Sequence, residues 1–382
     1  MTAPARPRRA VEVPTVGVEE EFLLVDRHSR LPVGRAPAVV KEAADVLGEQ
    51  VQTEFFTSQA EVCTRPVRSL PDLRADLVRV RSVLREAAAG ADCRPVGTGM
   101  PVMTDGQPPT ITDSARYRRI SEHVGAVATS SEGLVCGCHV HVGVECRARA
   151  LALNNLMRPW LPVVQALAVN SPFSAGRDTG YASWRHAFYR RWPTVGPAPR
   201  LDEPAYRATV GGLLDAGVIL DTAMIYWYSR PSEHVPTLEV RVADTSADVD
   251  TTVLLAALVR GLAATLLSEL PGDREPAEAC DTASDTTAMI DAAHWSAALS
   301  GIDGNGPDPV SGRIVPMRCL VDRLVERARP GLEAAGDLGT VRQLLAGLRT
   351  AGTGADRQRA AFARRGRYGD VVDEMAALTA ET

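Results

Sequence analysis

Three short segments of this chain each carry a pair of ionisable side chains, two residues apart, on an otherwise apolar stretch. The segments span residues 15–26, 132–146 and 236–245, and their alternation predicts three β-strands. The pairs are Glu19 with Glu21, His139 with His141, and Glu239 with Arg241. Side chains two apart on a strand share a face. The chain is therefore constrained to a sheet with one apolar face and one ionisable face.

One such pair alone is typical of the water-exposed face of an antiparallel strand. Exposed strands also carry Thr, Lys, Ser and Gln, whereas these pairs contain only carboxylates, imidazoles and a guanidinium, and Gly137 and Gly143 flank the histidines. We therefore interpret the pairs as the inner wall of a site. Clustered carboxylates repel unless cations neutralise them, and an oxygen-rich set with imidazole suits Mg²⁺ or Mn²⁺ better than zinc.

The segment 53–64 adds two acidic residues, Glu54 and Glu61. Their separation would put them on opposite faces of an unbroken strand, because side chains alternate along it. A turn or bulge near Thr57 and Ser58 would bring both carboxylates to the same face. We predict such a break.

Much of the remaining chain shows helical periodicity. Apolar residues recur at helical spacing over residues 69–89, 147–170 and 249–270. Pro159 and Pro162 predict a bend in the second helix, because proline lacks the amide that the helix needs. Residues 171–204 show no period and predict a long ordered loop, a kind of segment that is often functional.

The order of these elements favours an α+β fold. Without an internal repeat or a clean linker, residues 15–380 are expected to form a single domain with a helical C-terminal portion. Residues 1–14 are basic and rich in proline and alanine, and predict a disordered tail.

Two charged features need separate interpretation. Arg79, Arg81 and Arg85 recur along the helix predicted over 69–89, and their simplest interpretation is a solvated helix face. Glu20 interrupts the apolar face of the first strand. Neither feature is assigned to the site.

Composition narrows the chemistry further. The net charge of −5, with Lys+Arg 42 against Asp+Glu 47, implies no broad basic face, so a nucleic-acid partner is set aside. Lys41 is the only lysine and the P-loop pattern is absent, so arginines and metal ions would have to hold any phosphate. The seven cysteines contain no C-x-x-C pair, and Cys136 and Cys138 fall on the apolar side of their strand as core residues.

The chain shows no secretion or membrane signal by sequence. The basic N-terminus is followed by no apolar segment, and no stretch approaches the ~20 apolar residues of a membrane span. We therefore expect a cytoplasmic protein with no membrane partner.

Four groups of motifs, in order along the chain, resemble those of the carboxylate-amine ligases known as glutamate-cysteine ligase type 2. They are GVEEEFLLVD at 17–26, GCHVHVGV at 137–144, SPF at 171–173 with GRDTGYAS at 176–183, and RPS at 230–232 with PTLEVR at 236–241. The stretch GTGADRQR at 352–359 is also similar to the C-terminal region of the family. The resemblance implies a curved, mostly antiparallel sheet like that of glutamine synthetase. This sheet would form a funnel with helices packed outside it and with metal ions inside it bridging the phosphates of ATP.

The resemblance also implies roles for individual residues. Two or three Mg²⁺ ions would be held by Glu19, Glu21, Glu54, Glu61, His139 and Glu239. Arg241 would meet phosphate, and Arg177 would neutralise the transferred phosphoryl group or a substrate carboxylate. Arg185, Arg230 and His141 are further candidates for contacts with the nucleotide.

The implied reaction joins a carboxylate to an amine. ATP would convert the γ-carboxylate of a glutamate-like substrate into an acyl phosphate, which the amine of cysteine or another amino compound would attack. No nucleophilic side chain is needed, which agrees with the lack of a persuasive Ser-His-Asp or Cys-His arrangement. Exposed edges of an open sheet would also allow a homodimer.

Two departures from the family pattern bear on the substrate. Gly99 stands where a histidine usually follows Gly97-Thr98, and residues 293–297 lack the usual arginines. Either change could alter the acceptor or nucleotide pocket. Two other interpretations stay open: a metal-dependent hydrolase of phosphate esters, and a silent or specialised member that binds Mg-ATP.

Overall fold

An open antiparallel sheet is the centre of the fold. The computed structural model describes residues 11–270 and 287–381, so most of the predicted tail at residues 1–14 lies outside the described residues. The strands are β1 (Val16–Asp26), β2 (Val51–Thr53), β3 (Gln59–Cys63), β4 (Cys93–Val96), β5 (Gly137–Gly143), β6 (Phe173–Ser174), β7 (Arg177–Asp178), β8 (Ser229–Pro231), β9 (Thr237–Asp244), β10 (Asn305–Pro307) and β11 (Ile314–Pro316). Seven of them form one sheet in the order β2-β3-β1-β5-β9-β8, with β4 also paired to β1. All these pairings are antiparallel, and the sheet is not closed.

Helices make up most of the rest of the described chain. They are α1 (Ala36–Leu47), α2 (Leu70–Gly90), α3 (Ala115–Val124), α4 (Arg147–Met157), α5 (Leu161–Leu167), α6 (Trp184–Tyr189), α7 (Glu203–Asp215), α8 (Val249–Glu269), α9 (Thr287–Ser300), α10 (Met317–Ala334), α11 (Leu338–Ala351), α12 (Gly354–Arg365) and α13 (Tyr368–Ala380). The α+β fold class predicted from the sequence is confirmed.

The predicted elements differ from the observed ones mainly at their ends. The bend expected at the two prolines is a 3₁₀ turn over Arg158–Trp160 that separates α4 from α5. The region 171–204 is more regular than predicted, since it contains the β6–β7 hairpin and α6. The histidine strand is shorter than the predicted 132–146, because only Gly137–Gly143 pairs with its neighbours.

The apolar face of the central strands packs against α8. Val18, Val140 and Val240 belong to one buried cluster with the side chains of this helix. By length and composition α8 would pass as a membrane span, which corrects the expectation that no segment approaches one. However, 83% of its apolar window is buried inside the protein, as in a core helix.

A buried ion pair joins the sheet to two helices. Glu20, on the apolar face of β1, accepts hydrogen bonds from Arg81 of α2 at 2.8 and 2.5 Å, and from the Thr252 hydroxyl of α8 at 2.7 Å. Arg81 also donates to the carbonyl oxygens of Ser246 and Ala247. The interpretation of Arg81 as part of a solvated face was therefore wrong. The sequence could not show it, because Glu20 and Arg81 come from distant parts of the chain.

Removing one member of this pair should destabilise the fold severely. Arg81→Ala leaves the Glu20 carboxylate buried without its partner, which costs about 3–5 kcal/mol in free energy of unfolding. The matched control is Arg74→Ala on the same helix, since Arg74 pairs with Asp250 on the surface and its loss should cost under about 1 kcal/mol. Urea unfolding followed by circular dichroism measures both. Equal losses in the two variants would contradict the assigned role.

Candidate active site

The register of the central strands aligns the predicted ionisable residues in one row across the sheet. The directly opposed pairs are Glu61 with Glu21, Glu19 with His139, His141 with Glu239, and Glu239 with Arg230 of β8. Opposed residues on antiparallel strands have Cβ atoms about 4.5–5.5 Å apart. Each side chain in the row is therefore within reach of the next.

The row forms one wall of a cavity of about 570 Å³ on the face of the sheet opposite α8. The predicted site residues in its lining are Glu19, Glu21, Glu54, Glu61, His139, His141, Arg185, Arg230, Glu239 and Arg241. An aromatic wall, which the sequence reasoning missed, also lines it; we define this wall as Phe55, Tyr117, Tyr189, Trp192 and Tyr226. Within it, Phe55 lies edge-on to Tyr117 and Trp192, with ring centroids 5.3 and 5.5 Å apart.

A turn brings Glu54 and Glu61 to the same cavity. β2 ends at Thr53 and β3 begins at Gln59, so the chain reverses between the two glutamates. The predicted break near Thr57 and Ser58 is present. One oxygen of Glu54 also accepts a hydrogen bond from the amide of Phe55 at 3.0 Å, which fixes that carboxylate at the turn.

Glu19 lies between the two histidines. Its Oε2 is 3.1 Å from Nδ1 of His139, and its Oε1 is 3.1 Å from Nε2 of His141. Burial alone would raise the pKa of Glu19, but the two imidazoles hold its pKa well below the usual value. Nδ1 of His141 lies 2.9 Å from the hydroxyl of Thr237, which leaves Nε2 facing the carboxylate. The two imidazoles therefore favour the ionised form of Glu19.

Glu21, Glu54 and Glu61 form an all-acidic group beside it. Burial raises the pKa of each of the three carboxyls. For Glu61 the rise is large, because the charges of Glu54, Glu19 and Glu21 add to the effect of burial. Glu21 accepts a hydrogen bond of 2.5 Å from the amide of Gly137. These carboxylates repel one another and need positive charge that the neighbouring side chains do not supply in full.

Glu239 is the best neutralised carboxylate in the row. Nε of Arg230 donates to it at 2.8 Å, and Arg241 donates to its other oxygen. Burial would raise the pKa of Glu239, but the two guanidinium groups hold it far below the usual value. Arg230 is itself anchored to the carbonyl oxygens of Ala223 and Ile225, at 3.1 and 2.6 Å. Two of the four arginines predicted to meet the nucleotide, Arg230 and Arg241, are thus fixed on a carboxylate.

The fixed charges in the cavity do not balance. Its lining contains five glutamates but only three arginines that face them, since the fourth, Arg116, is paired with Asp221 at 2.8 and 3.0 Å. The deficit of positive charge is the kind that divalent cations correct.

Ligand atoms within 4.8 Å of one another form three groups that could each hold a cation. The groups are Glu19 with Glu61 and His139, Glu19 with His141 and Glu239, and Glu21 with Glu54 and Glu61. Nε2 of His141 is buried, and its one close partner among the described residues is the Glu19 carboxylate, 3.1 Å away, so a cation could lie between these two ligand atoms. Carboxylate oxygens with one imidazole fit Mg²⁺ or Mn²⁺. The structure therefore adds His141 to the predicted ligand set.

Arg185 is the cavity arginine with the weakest attachments. It is 4% exposed, and its Nε is buried without a hydrogen-bond partner among residues 11–270 and 287–381. Its guanidinium lies 5.4 Å from the ring centre of Tyr189. A Cβ at Gly137 would come within 2.3 Å of Nη2, so the glycine before the histidines makes room for this arginine. Arg185 retains hydrogen-bond donors for an anion in the cavity.

The structure does not bring Arg177 to the cavity. Its side chain is 59% exposed on the β6–β7 hairpin and donates to Glu132 at 2.6 Å. The two departures from the family pattern also fall away from the lining. A Cβ at Gly99 would point at the buried carboxylate of Asp244, and Trp295 of α9 packs against Tyr181 and His186.

Comparisons with known proteins show the family of this chain. The sequence model of glutamate-cysteine ligase family 2 matches residues 15–374. A protein of Saccharopolyspora erythraea with the provisional name glutamate–cysteine ligase 2-1 is 45% identical over 94% of this chain and 93% of its own length. A protein of Salinispora tropica with the provisional name glutamate–cysteine ligase 2 is 43% identical over 96% and 95%.

Solved structures share the fold at low sequence identity. A glutamate–cysteine ligase from Francisella tularensis, in complex with AMP, superposes with a TM-score of 0.73 and 12% identity, over 97% of this chain and 90% of that one. A bifunctional glutathione synthetase from Pasteurella multocida gives a TM-score of 0.69 and 13% identity, over 97% and 53%. Because the family model and both relatives cover nearly the whole chain, the protein belongs to glutamate-cysteine ligase family 2 and is an ATP-dependent ligase that forms a carbon–nitrogen bond.

Proposed function

We propose that this protein uses ATP to phosphorylate the carboxylate of a glutamate-like substrate, and then joins the acyl phosphate to the amine of cysteine or another amino compound. The observation that carries the proposal is the row of carboxylates and imidazoles, whose three ligand groups share one cavity with Arg185, Arg230 and Arg241. Family membership supports the type of bond formed. The homodimer and the cytoplasmic location stay predictions.

The proposed cations are two or three Mg²⁺, for which Mn²⁺ would substitute. Their ligands would be Glu19, Glu21, Glu54, Glu61, His139, His141 and Glu239. When bound, Mg²⁺ supplies positive charge that neutralises phosphate oxygens during the transfer. These residues suit Mg²⁺ because they offer carboxylate oxygens and imidazole nitrogens as ligand atoms in a cavity that lacks positive charge.

The side chains would bind and orient the reactants rather than attack them. In the first step a carboxylate oxygen bonds to the γ-phosphorus of ATP and ADP leaves. In the second step the amine nitrogen bonds to the acyl carbon and phosphate leaves. Arginines that neutralise the developing charge, and a cavity that keeps water from the acyl phosphate, would supply the catalysis.

The arginines divide into two classes. Arg230 and Arg241 hold Glu239, so we assign them to orienting that ligand and to a shared contact with phosphate. Arg185 has free donors, and we assign it the oxyanion of the carboxylate substrate or of its phosphoryl group. The role predicted for Arg177 would require the β6–β7 hairpin to approach the cavity and stays a prediction.

Turnover of ATP should require both a carboxylate and an amine. With Mg²⁺-ATP and a panel of amino acids, alone and in pairs, ADP and phosphate should appear together with an amide, and glutamate with cysteine should be among the active pairs. Coupled ADP detection and mass spectrometry measure the products. Phosphate release from simple esters without ADP would favour a hydrolase, and no turnover with any pair would oppose the proposal.

Neutralising a proposed ligand should remove metal binding and turnover without unfolding the protein. Glu61→Gln and Glu239→Gln each delete a negative charge from the row, so Mn²⁺ affinity, measured by electron paramagnetic resonance, should fall at least about tenfold and ATP turnover should be lost. Glu86→Gln, at an exposed glutamate of α2, is the matched control and should change neither. Near-normal Mn²⁺ binding in both cavity variants would contradict the ligand assignment.

The raised pKa of Glu61 predicts a pH dependence of stability in the metal-free protein. The folded state binds this proton more tightly than the unfolded state, so the stabilising effect is complete below the unfolded pKa of about 4.3 and is lost as pH rises through the folded pKa. Glu61→Gln removes this loss of stability at higher pH, because glutamine does not ionise. Relative to the unmodified protein in EDTA, the variant should therefore gain stability as pH rises, which urea unfolding at several pH values measures. A stability difference that is constant with pH would contradict the charge crowding.

A further inference from the structure

Asp244, at the end of β9, is a buried carboxylate that the reaction so far does not use. It is 1% exposed. One of its oxygens accepts from the hydroxyl of Ser171 at 2.7 Å and from the amide of Asn170 at 2.9 Å, and the other accepts from the hydroxyl of Ser183 at 2.8 Å. The two hydroxyls belong to the two ends of the segment 171–183 and the amide to the residue before it, so Asp244 fastens this segment to the sheet at its base.

The hydrogen bonds at the base of this segment also include the backbone of Arg185. The amide of Trp184 donates to the carbonyl of Ser171 at 2.9 Å, and the amide of Arg185 donates to the hydroxyl of Ser171 at 3.1 Å. The direction in which Arg185 leaves the backbone is thus set by contacts around Asp244. Asp244, Ser171 and the backbone of Arg185 are thus linked by one set of hydrogen bonds.

The carboxyl group of Asp244 also faces the guanidinium of Arg185; burial raises the pKa of Asp244, and the guanidinium opposes that rise. Its Oδ1 lies 3.8 Å from Nη1 of Arg185, which is close enough for strong attraction inside the protein but longer than a hydrogen bond. This contact uses none of the hydrogen-bond donors of the arginine. The donors stay available for an anion that enters the cavity.

Gly99 creates the space that Asp244 occupies. A Cβ at position 99 would lie 2.7 Å from Cγ and from Oδ2 of Asp244. The carboxylate has little freedom to retreat, because its hydrogen bonds fix both oxygens. A side chain at position 99 would therefore displace Asp244, and the position affects the cavity through Asp244 and Arg185 rather than by direct contact.

We propose that Asp244 is a positioning residue. It fixes the base of the segment 171–183 and aims the Arg185 guanidinium into the cavity. The hydrogen-bond donors of Arg185 are then free for the oxyanion of the carboxylate substrate or for the phosphoryl group of that substrate. The proposal rests on the oxyanion role assigned to Arg185 in the proposed function. It assigns Asp244 no contact with substrate.

The kinetic test is a double-mutant cycle of Asp244→Asn and Arg185→Gln, with L-glutamate as the carboxylate substrate. Asp244→Asn alone should raise KM for glutamate about tenfold while KM for ATP changes by less than about twofold, because Arg185 is misplaced and the nucleotide is held elsewhere. In the Arg185→Gln background, Asp244→Asn should raise KM for glutamate by less than about twofold more, since the effects of substitutions at coupled residues are not additive. A merely structural Asp244 would instead lower kcat through loss of folded protein in both backgrounds, and that result would overturn the proposal.

Two further variants keep the test independent of protein yield. Gly99→Ala should reproduce the KM effect of Asp244→Asn, because the added methyl group displaces the carboxylate. Asp308→Asn is the matched control: Asp308 is also buried, accepts from a serine hydroxyl and pairs with Arg323, but it lies outside the cavity lining. It should leave both KM values unchanged. A KM effect of Asp308→Asn as large as that of Asp244→Asn would overturn the proposal.

A second measurement separates this proposal from the proposed function. The Nε–Hε resonance of Arg185, assigned in ¹⁵N spectra by its loss in Arg185→Gln, reports the order of the guanidinium without any turnover. Asp244→Asn and Gly99→Ala should shift and broaden it, and Asp308→Asn should not. If the unmodified protein turns over no ATP, the proposed function fails, but this resonance still tests the positioning role of Asp244. An unchanged Arg185 resonance in Asp244→Asn would overturn that positioning role.

Discussion

The crowding of negative charge on one face of the sheet is the constraint on which the rest of the structure depends. Five glutamates line the cavity, and cross-strand register places four of them in a row with two histidines. Such a row is costly unless positive charge enters it, since buried carboxylates of like charge repel one another. Arg230 and Arg241 neutralise one end of the row, whereas burial raises the pKa values of Glu21 and Glu61 at the other end and of Glu54 beside them. The three ligand groups therefore suit divalent cations, and we propose that such cations would neutralise the phosphates of ATP in this cavity.

The opposite face of the same strands explains how the sheet tolerates this charge. The alternate side chains of β1, β5 and β9 pack on α8, and the Glu20–Arg81 pair ties β1 to α2 through that face. Because packing fixes each strand, the register that opposes Glu19 to His139 cannot slip by one residue without exposing the core. Asp244 continues this arrangement at the end of β9, where it links the sheet to the segment that presents Arg185.

Local sequence patterns were sufficient to predict the central strands and to predict which of their side chains share a face. Period-two alternation predicted that Glu19 and Glu21, His139 and His141, and Glu239 and Arg241 project together, and all six line one cavity. The separation of Glu54 and Glu61 predicted the turn between β2 and β3. The features that sequence could not predict depend on contacts between distant segments. Arg81 was misinterpreted because its partner is on another element, and Arg177 was assigned by motif although its hairpin holds it away from the cavity. No local pattern marks Asp244 or the aromatic wall, since both acquire their positions from tertiary packing.

The most direct test of the account is to locate cations in the cavity. Crystals grown with Mn²⁺ and a non-hydrolysable ATP analogue would be measured at the manganese absorption edge, where anomalous peaks report the metal positions. The account predicts two or three peaks at coordination distance from the three ligand groups, with Glu61 and Glu19 each serving two of those groups. An absence of anomalous density in the cavity at saturating Mn²⁺, or peaks only at surface carboxylates, would contradict the claim that this row of side chains exists to hold metal ions.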